Sequence, residues 1–319
     1  MTHVGVMLPR DLPANQVLAY ARRAEQLGFD ELWVVEDLGF RGGVAQAGAV
    51  LAATDHIMVG IGILPAGARN AAFTAMELAT LAQLFPGRLI AGIGHGMPDW
   101  MRSVGAWPAS PLTLLREYTT AVRTLLRGEP GPAAGRYVDV EGVVIGETPQ
   151  TVPPVVLGVR GPKSIAVAGQ VADGLLLAEP AAPPYIAEAA ARLESSSPLV
   201  ITYDAAAVHD DGDKARDLVR PGLAGIGEPD WAPHLAPLPF AADLAAHRRA
   251  AAGPAEFAAT MPDAWVRELS LAGTPAEVRA QIAARHAAGA GSVIMIPAEP
   301  DPLQALTGLA QALPRPERP

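Results

Sequence analysis

Eight short apolar runs govern what this chain can fold into: His3–Leu8, Glu31–Val35, Ile57–Leu64, Leu89–Gly94, Val155–Val159, Gly174–Leu177, Leu199–Thr202 and Ser292–Ile296. None alternates with polar residues, as a strand with one wet face would. Strands covered on both faces read as continuous apolar runs, so the pattern predicts a parallel sheet. Between the runs lie helical patterns. Val17, Ala21, Ala24 and Gly28 fall on one face, flanked by Leu18 and Leu27. Leu112, Leu115, Thr119, Val122 and Leu126 form a second stripe, and Leu303, Leu306, Leu309 and Leu313 a third. Thr274-Pro275-Ala276-Glu277 is a capping box with proline at the first helical position, which predicts a helix ending at Gly289.

Eight strand–helix units in 319 residues predict a closed (β/α)8 TIM barrel, a fold that commonly exceeds ~250 residues. An open doubly wound sheet is the alternative, but so many successive units favour closure. The whole chain reads as one barrel domain with insertions after strand 4 and strand 7. Residues 127–154 include RYVDVEGVVIGE, where Glu141-Gly142 predicts the turn of a small hairpin. Residues 203–273, rich in Pro, Ala and Gly, are expected to form an excursion over one mouth.

Composition narrows the function. A net charge of −9 disfavours nucleic acid, whose phosphates need a basic face. The chain has no cysteine, which excludes thiol catalysis, disulfides and iron–sulfur clusters. The N-terminal MTHVGVMLP has no basic stretch and no apolar run reaches about 18 residues, so neither signal peptide nor membrane span is expected. A cytoplasmic protein without a membrane partner is the expectation. No carboxylate–histidine cluster has metal-ligand spacing, and no metal site is expected.

Barrel enzymes hold their chemistry at the C-terminal ends of the strands. Run 2 leads into Glu36-Asp37, run 4 into Gly94-His95-Gly96, run 5 into Arg160-Gly161-Pro162-Lys163 and run 6 into Glu179. Glu36 and Asp37 either face the pocket or cap a helix and meet solvent. His95 either meets a ligand or makes a structural hydrogen bond. The turn after run 5 has the clearest physics. Pro162 suits a first helical position, Gly161 lets a ligand approach the backbone, and the free N–H groups beyond can hold an anion. Arg160 or Lys163 would add charge; the same turn also serves as a plain strand-to-helix connection. Lys163 lies in the first helical turn, outside the apolar barrel, which argues against a Schiff-base role.

With these residues in place, the chain resembles the luciferase-like flavin and deazaflavin oxidoreductases, and more closely the branch that uses coenzyme F-420. The matching pieces are RRAEQLGFDELWVVED (22–37), GIGILPAGARNAAFTAMELATLAQLFPGR (60–88), LIAGIGHG (89–96), RGPKSIAVAGQVADGLLLAE (160–179) and LAGTPAEVRAQIAARHAAGAGSVIMIP (271–297). They occur in family order and leave residues 205–260 poorly matched. The resemblance implies a luciferase-like barrel with the cofactor ring at the C-terminal mouth. It assigns the cofactor phosphate to the turn of Gly161, Pro162 (through its carbonyl side), Lys163 and Ser164, beside Arg160, with Ala178 and Glu179 contributing. It also implies a non-prolyl cis peptide behind the ring, by position Gly62–Ile63, next to Leu64. Asp37 matches a pocket acid, and His95-Gly96 the turn near the ring.

The chain departs from the pattern of alcohol- and sugar-oxidising relatives. These carry His after the matched acid and Glu after the strand-4 turn; here Leu38 and Met97 stand instead. Oxidising an alcohol needs a base, for which only Asp37, Glu36 or His95 could substitute. A reductase that passes hydride to an activated C=C or C=N of a small molecule or modified peptide is therefore the expectation. Alternatives are an FMN-dependent monooxygenase, a deazaflavin-binding protein without turnover and, remotely, a phosphate-substrate lyase or isomerase. The substrate pocket is expected under residues 136–147 and 203–273. The resemblance also implies a homodimer.

Overall fold

The computed structural model describes residues 2–193 and 198–314. All eight apolar runs are strands: β1 (His3–Met7), β2 (Glu31–Val34), β3 (Met58–Pro65), β4 (Leu89–Gly94), β5 (Val155–Gly158), β6 (Gly174–Leu177) and β7 (Leu199–Val208), with Ser292–Pro297 completing the set. A further short strand, β8 (Leu271–Gly273), precedes that last one, which is therefore β9. Every pairing is parallel. β1 to β6 pair in sequence, β6 also pairs with β7, and β9 bridges β7 and β1, so the ring closes. The open-sheet alternative is thereby excluded. β8 stands outside the ring, paired with the far end of β7.

Helices cover the barrel: α1 (Val17–Gln26), α2 (Gly43–Ala53), α3 (Ala71–Leu84), α4 (Pro98–Ser103), α5 (Pro111–Leu126), α6 (Pro162–Val171) and α7 (Pro183–Ala191). After β7 come α8 (Gly212–Val219), α9 (Ala232–Leu235), α10 (Ala241–Ala250), α11 (Pro254–Ala259) and α12 (Asp263–Leu269). The chain then forms α13 (Pro275–Ala287) and α14 (Pro302–Ala310). The capping box is present at α13, where the Thr274 N–H donates to Glu277 Oε2 at 2.7 Å, and Gly289 follows with φ +113°. Trp33, Ile90, Val156, Leu176, Ile201, Tyr203 and Ile294 fill the barrel interior. At its N-terminal end the buried Glu31 carboxylate accepts from His3 Nδ1, Trp33 Nε1 and Ser292 Oγ at 3.0, 2.7 and 2.6 Å.

Two expectations need correction. Residues 136–147 form no hairpin strands; Glu141-Gly142 do turn, with Val143 N–H donating to Val140 and Gly142 at φ +71°. Glu117 accepts the N–H groups of Arg136, Tyr137 and Val138, so the loop spends those donors on α5 rather than on a partner strand. The excursion begins at residue 209, because β7 runs on to Val208. Beyond the interior, β7 turns the methyl groups of Ala205 and Ala207 to a second core. There they meet Leu223, Phe257 and Leu269 of the excursion.

A buried ion pair ties this region together. Arg285 of α13 donates through Nε and Nη2 to both carboxylate oxygens of Asp204, at 2.9 and 3.0 Å, with the two side chains 1% and 0% exposed. Removing one member of such a pair strands the other in a dry interior, at a cost of about 3–5 kcal/mol. Arg285→Met is thus expected to lower the unfolding free energy by about 3–5 kcal/mol. Urea melts of variant and wild type would test it, and a loss under about 1 kcal/mol would refute it.

Candidate active site

Most of each barrel strand is buried; apart from His3, Met58 and Leu199 at the opposite end, the exceptions lie toward the C-terminal ends. Met7, Gly62, Ile63, His95, Gly96, Gly158, Arg160, Ala178, Glu179 and Ile296 are all partly reached by solvent, and all lie at or near the C-terminal ends of their strands. They outline a recess at that mouth.

Its floor is a bulge. Ile61 pairs with Ala91 and Leu64 with Ile93, so Gly62 and Ile63 together oppose the single residue Gly92. The extra residue pushes the strand inward, as bulges do beside many sites. Neighbouring glycines make the room: a Cβ at Gly94 or Gly158 would fall 3.0 or 2.5 Å from the Ile63 side chain. On the other side, a Cβ at Gly62 would fall 2.1 Å from the Tyr203 hydroxyl. The Gly62–Ile63 peptide is cis, where the resemblance had put it. Leu64 is a correction. It is fully buried and reaches toward Gly43 of α2, so its side chain contributes nothing to the recess.

The wall beyond β5 is the N-terminus of α6. Gly161 is its N-cap and Pro162 its first residue, and no side chain caps it. No atom lies within 4 Å of where a Gly161 Cβ would be, so the end is open. Its free N–H groups and dipole favour an anion. His95 Nε2 stands 3.4 Å from Ser164 Oγ in the first turn, and burial lowers its pKa. Lys163 is exposed.

The acids at the mouth divide sharply. Glu36 pairs with Arg69 at 2.9 Å and accepts the Gly43 N–H at 2.7 Å, which binds it to the start of α2. This candidate base is a structural cap. Asp37 accepts from Arg10 Nη1 at 2.8 Å and lies partly exposed at the rim. Glu179 makes no ion pair and no hydrogen bond to another described residue through its carboxyl. Burial pushes its pKa up; Arg160 opposes this, while Asp204 and Asp37 add to it.

The excursion roofs this side. Trp231 Nε1 donates to the Glu179 carbonyl at 3.0 Å, and the Arg160 guanidinium stacks 4.4 Å over the Trp231 ring. His234 is fully buried, stacked 4.4 Å from Tyr185, with Nδ1 donating to the Pro180 carbonyl at 3.0 Å. The Glu179–Pro180 bond is cis. Neither Trp231 nor His234 was legible as a site residue, since GIGEPDWAPHL matches no motif. Their place depends on where the excursion folds back. Tyr203 was missed because it reads as one more apolar position of a strand.

A closed parallel barrel with polar groups gathered at its C-terminal mouth has the architecture of an α/β-barrel enzyme. Residues 1–292 match the family model for luciferase-like monooxygenases, and the chain belongs to that family. It is 32% identical over 177 residues to a 5,10-methylenetetrahydromethanopterin reductase of Methanolobus tindarius, covering 56% of this chain and 54% of that protein. It is 29% identical over 174 residues to an F-420-dependent glucose-6-phosphate dehydrogenase of Microbacterium testaceum, covering 51% and 52%. The chain thus matches about half the length of these curated relatives. In fold it is similar to the coenzyme F-420-dependent tetrahydromethanopterin reductase of Methanopyrus kandleri, with TM-score 0.81, 22% identity and 98% of each chain covered.

Burial lowers the His234 pKa from 6.5 to about 4; the Pro180 carbonyl opposes the shift and Arg160 adds to it. A folded-state pKa below the unfolded one stabilises the fold above pH ~6.5, and this contribution is lost as pH falls toward about 4. Thermal midpoints across that range should fall more steeply for wild type than for His234→Phe. Parallel slopes would refute the assignment.

Proposed function

We propose that this protein is a coenzyme F-420-dependent oxidoreductase acting as a reductase on an activated C=C or C=N of a small molecule or modified peptide. The observation that carries the reading is the pairing, in one recess, of the β3 bulge with the open N-terminus of α6. A flat, phosphate-bearing cofactor needs both a surface for its ring and donors for its phosphate. The residues fit such a group. The N–H groups of Lys163 and Ser164 would hold the phosphate beside Arg160, Gly62 and Ile63 would lie behind the ring, and Ala178 and Glu179 would line its edge. When bound, the deazaflavin supplies two-electron hydride chemistry, and the chain supplies position and protons. Relatives whose names carry F-420 dependence support this choice over FMN.

The side chains at the rim support the reductive direction. Leu38 and Met97, 50% and 37% exposed, are apolar where an oxidising site would place a base. The carboxylates of Glu36 and Asp37 are held by arginines. Fluorescence titration with oxidised coenzyme F-420 and with FMN tests the cofactor. Saturable binding of FMN but not of the deazaflavin would overturn the reading. Lys163→Ala should weaken coenzyme binding by about 0.3–1 kcal/mol at low salt, because its charge only supplements the helix donors. Gly161→Trp, which fills the open cradle, should weaken it more.

A homodimer is part of the same proposal. Phe73, Met76 and Leu84 are 65%, 50% and 66% exposed along one stripe of α3, an apolar face suited to a second copy of the chain. Phe73→Glu should convert a dimer to a monomer in analytical ultracentrifugation. A monomeric wild type would dismiss the dimer.

A further inference from the structure

A proton must follow the hydride, and the acids around the recess differ in their freedom to give one. Glu36 is fastened to Arg69 and to the start of α2, and Asp37 to Arg10. Asp204 is sealed against Arg285. The Tyr203 hydroxyl has no hydrogen-bond partner among the described residues, but it lies buried against Gly62. His95 is turned toward Ser164 at the foot of α6.

Glu179 differs on each count. It follows β6 at the C-terminal mouth, across the barrel ring from β2 and Asp37. No arginine pairs with it within ion-pair distance, and solvent reaches it. Its backbone is pinned from the roof: Trp231 donates to its carbonyl, and His234 to the carbonyl of the next residue. A fixed main chain carrying a free carboxyl is the arrangement a general acid needs.

We propose that the Glu179 carboxyl is the proton donor of the reduction, a role that rests on the reductase reading above. An enone-type acceptor would take a hydride at its β-carbon, which the reduced deazaflavin would supply as its own C–H bond breaks. The C=C π pair shifts toward the α-carbon, which takes the proton from the Glu179 O–H while that bond's electrons remain on the carboxylate. Solvent at the mouth reprotonates the carboxylate. The acceptor would thus gain two electrons and two hydrogens: the electrons and one hydrogen as hydride from the deazaflavin, and the other hydrogen as the proton from Glu179. The charged groups around Glu179 suit the role. Burial, aided by Asp204 and Asp37, favours its protonated form, while its own backbone N–H and Arg160 limit the effect.

The test uses protein loaded with reduced coenzyme F-420 and cyclohexenone as acceptor, following coenzyme reoxidation by absorbance. At saturating coenzyme, Glu179→Gln should slow reoxidation about 100-fold or more while still binding the coenzyme saturably. The wild-type rate should fall as pH rises through the Glu179 ionisation, Glu179→Gln should lose that limb, and Glu179→Asp should recover part of the rate. Infrared difference spectra of wild type minus Glu179→Gln, taken across a pH series without any acceptor, should show the carboxyl band persisting to higher pH than that of an exposed glutamate. A Glu179→Gln protein as fast as wild type, or a carboxyl that titrates like an exposed glutamate, would overturn the assignment and leave the reductase reading standing. A wild type that binds the coenzyme yet never reoxidises it with the enone would overturn both.

Discussion

Asp204 and Arg285 are withdrawn from water together, and each would lose several kcal/mol of hydration if it stood alone. Their two hydrogen bonds recover part of that loss, and their remaining donors and acceptors connect four separate pieces of chain. Arg285 also reaches the carbonyls of Glu268 and Ser270 at the end of the excursion. Asp204 also accepts the Ala181 N–H, two residues beyond Glu179. Barrel strand, outer helix, roof and the loop after β6 therefore converge on one pair. The geometry of the recess wall depends on it, although neither side chain enters the recess.

The floor of the recess follows from a different constraint, the crowding of parallel strands around a packed interior. An inserted residue in β3 has to go somewhere. Here the glycines of β4 and β5 leave the volume that Ile63 occupies, and Gly62 leaves the volume against Tyr203. Glycines inside strands usually weaken them. At Gly92, Gly94 and Gly158 they convert lost packing into a shaped cavity floor.

How much of this the chain declared in advance depends on the kind of signal. Parallel strands buried on both faces leave unbroken apolar runs, so all eight barrel strands could be read, as could α13 through Thr274 and Glu277. β7 was read short because Asp204 interrupts its run; the charge is tolerable there only because Arg285 waits on a helix 81 residues away. The hairpin at Glu141-Gly142 was misread because a correct turn signal says nothing of whether the flanking backbone finds a strand or a carboxylate such as Glu117. Glu36 and Asp37 looked alike in sequence. Only the positions of Arg69 and Gly43 show that one of them caps a helix. Trp231 and His234 were illegible for the same reason as Arg285: their roles are long-range partnerships, which leave no local pattern.

The excursion has a hydrophobic core of its own, centred on Leu223, Phe257 and Leu269 and separated from the barrel interior around Trp33 and Ile294. Its seam with the barrel includes the methyl groups of Ala182, Ala205, Ala207 and Ala272 rather than interlocking large side chains. Changes in the two cores share few neighbours, so their energetic effects should add rather than couple. Such a layout lets the cover over the pocket be rebuilt, with new shapes for new ligands, while the machinery beneath it keeps its packing.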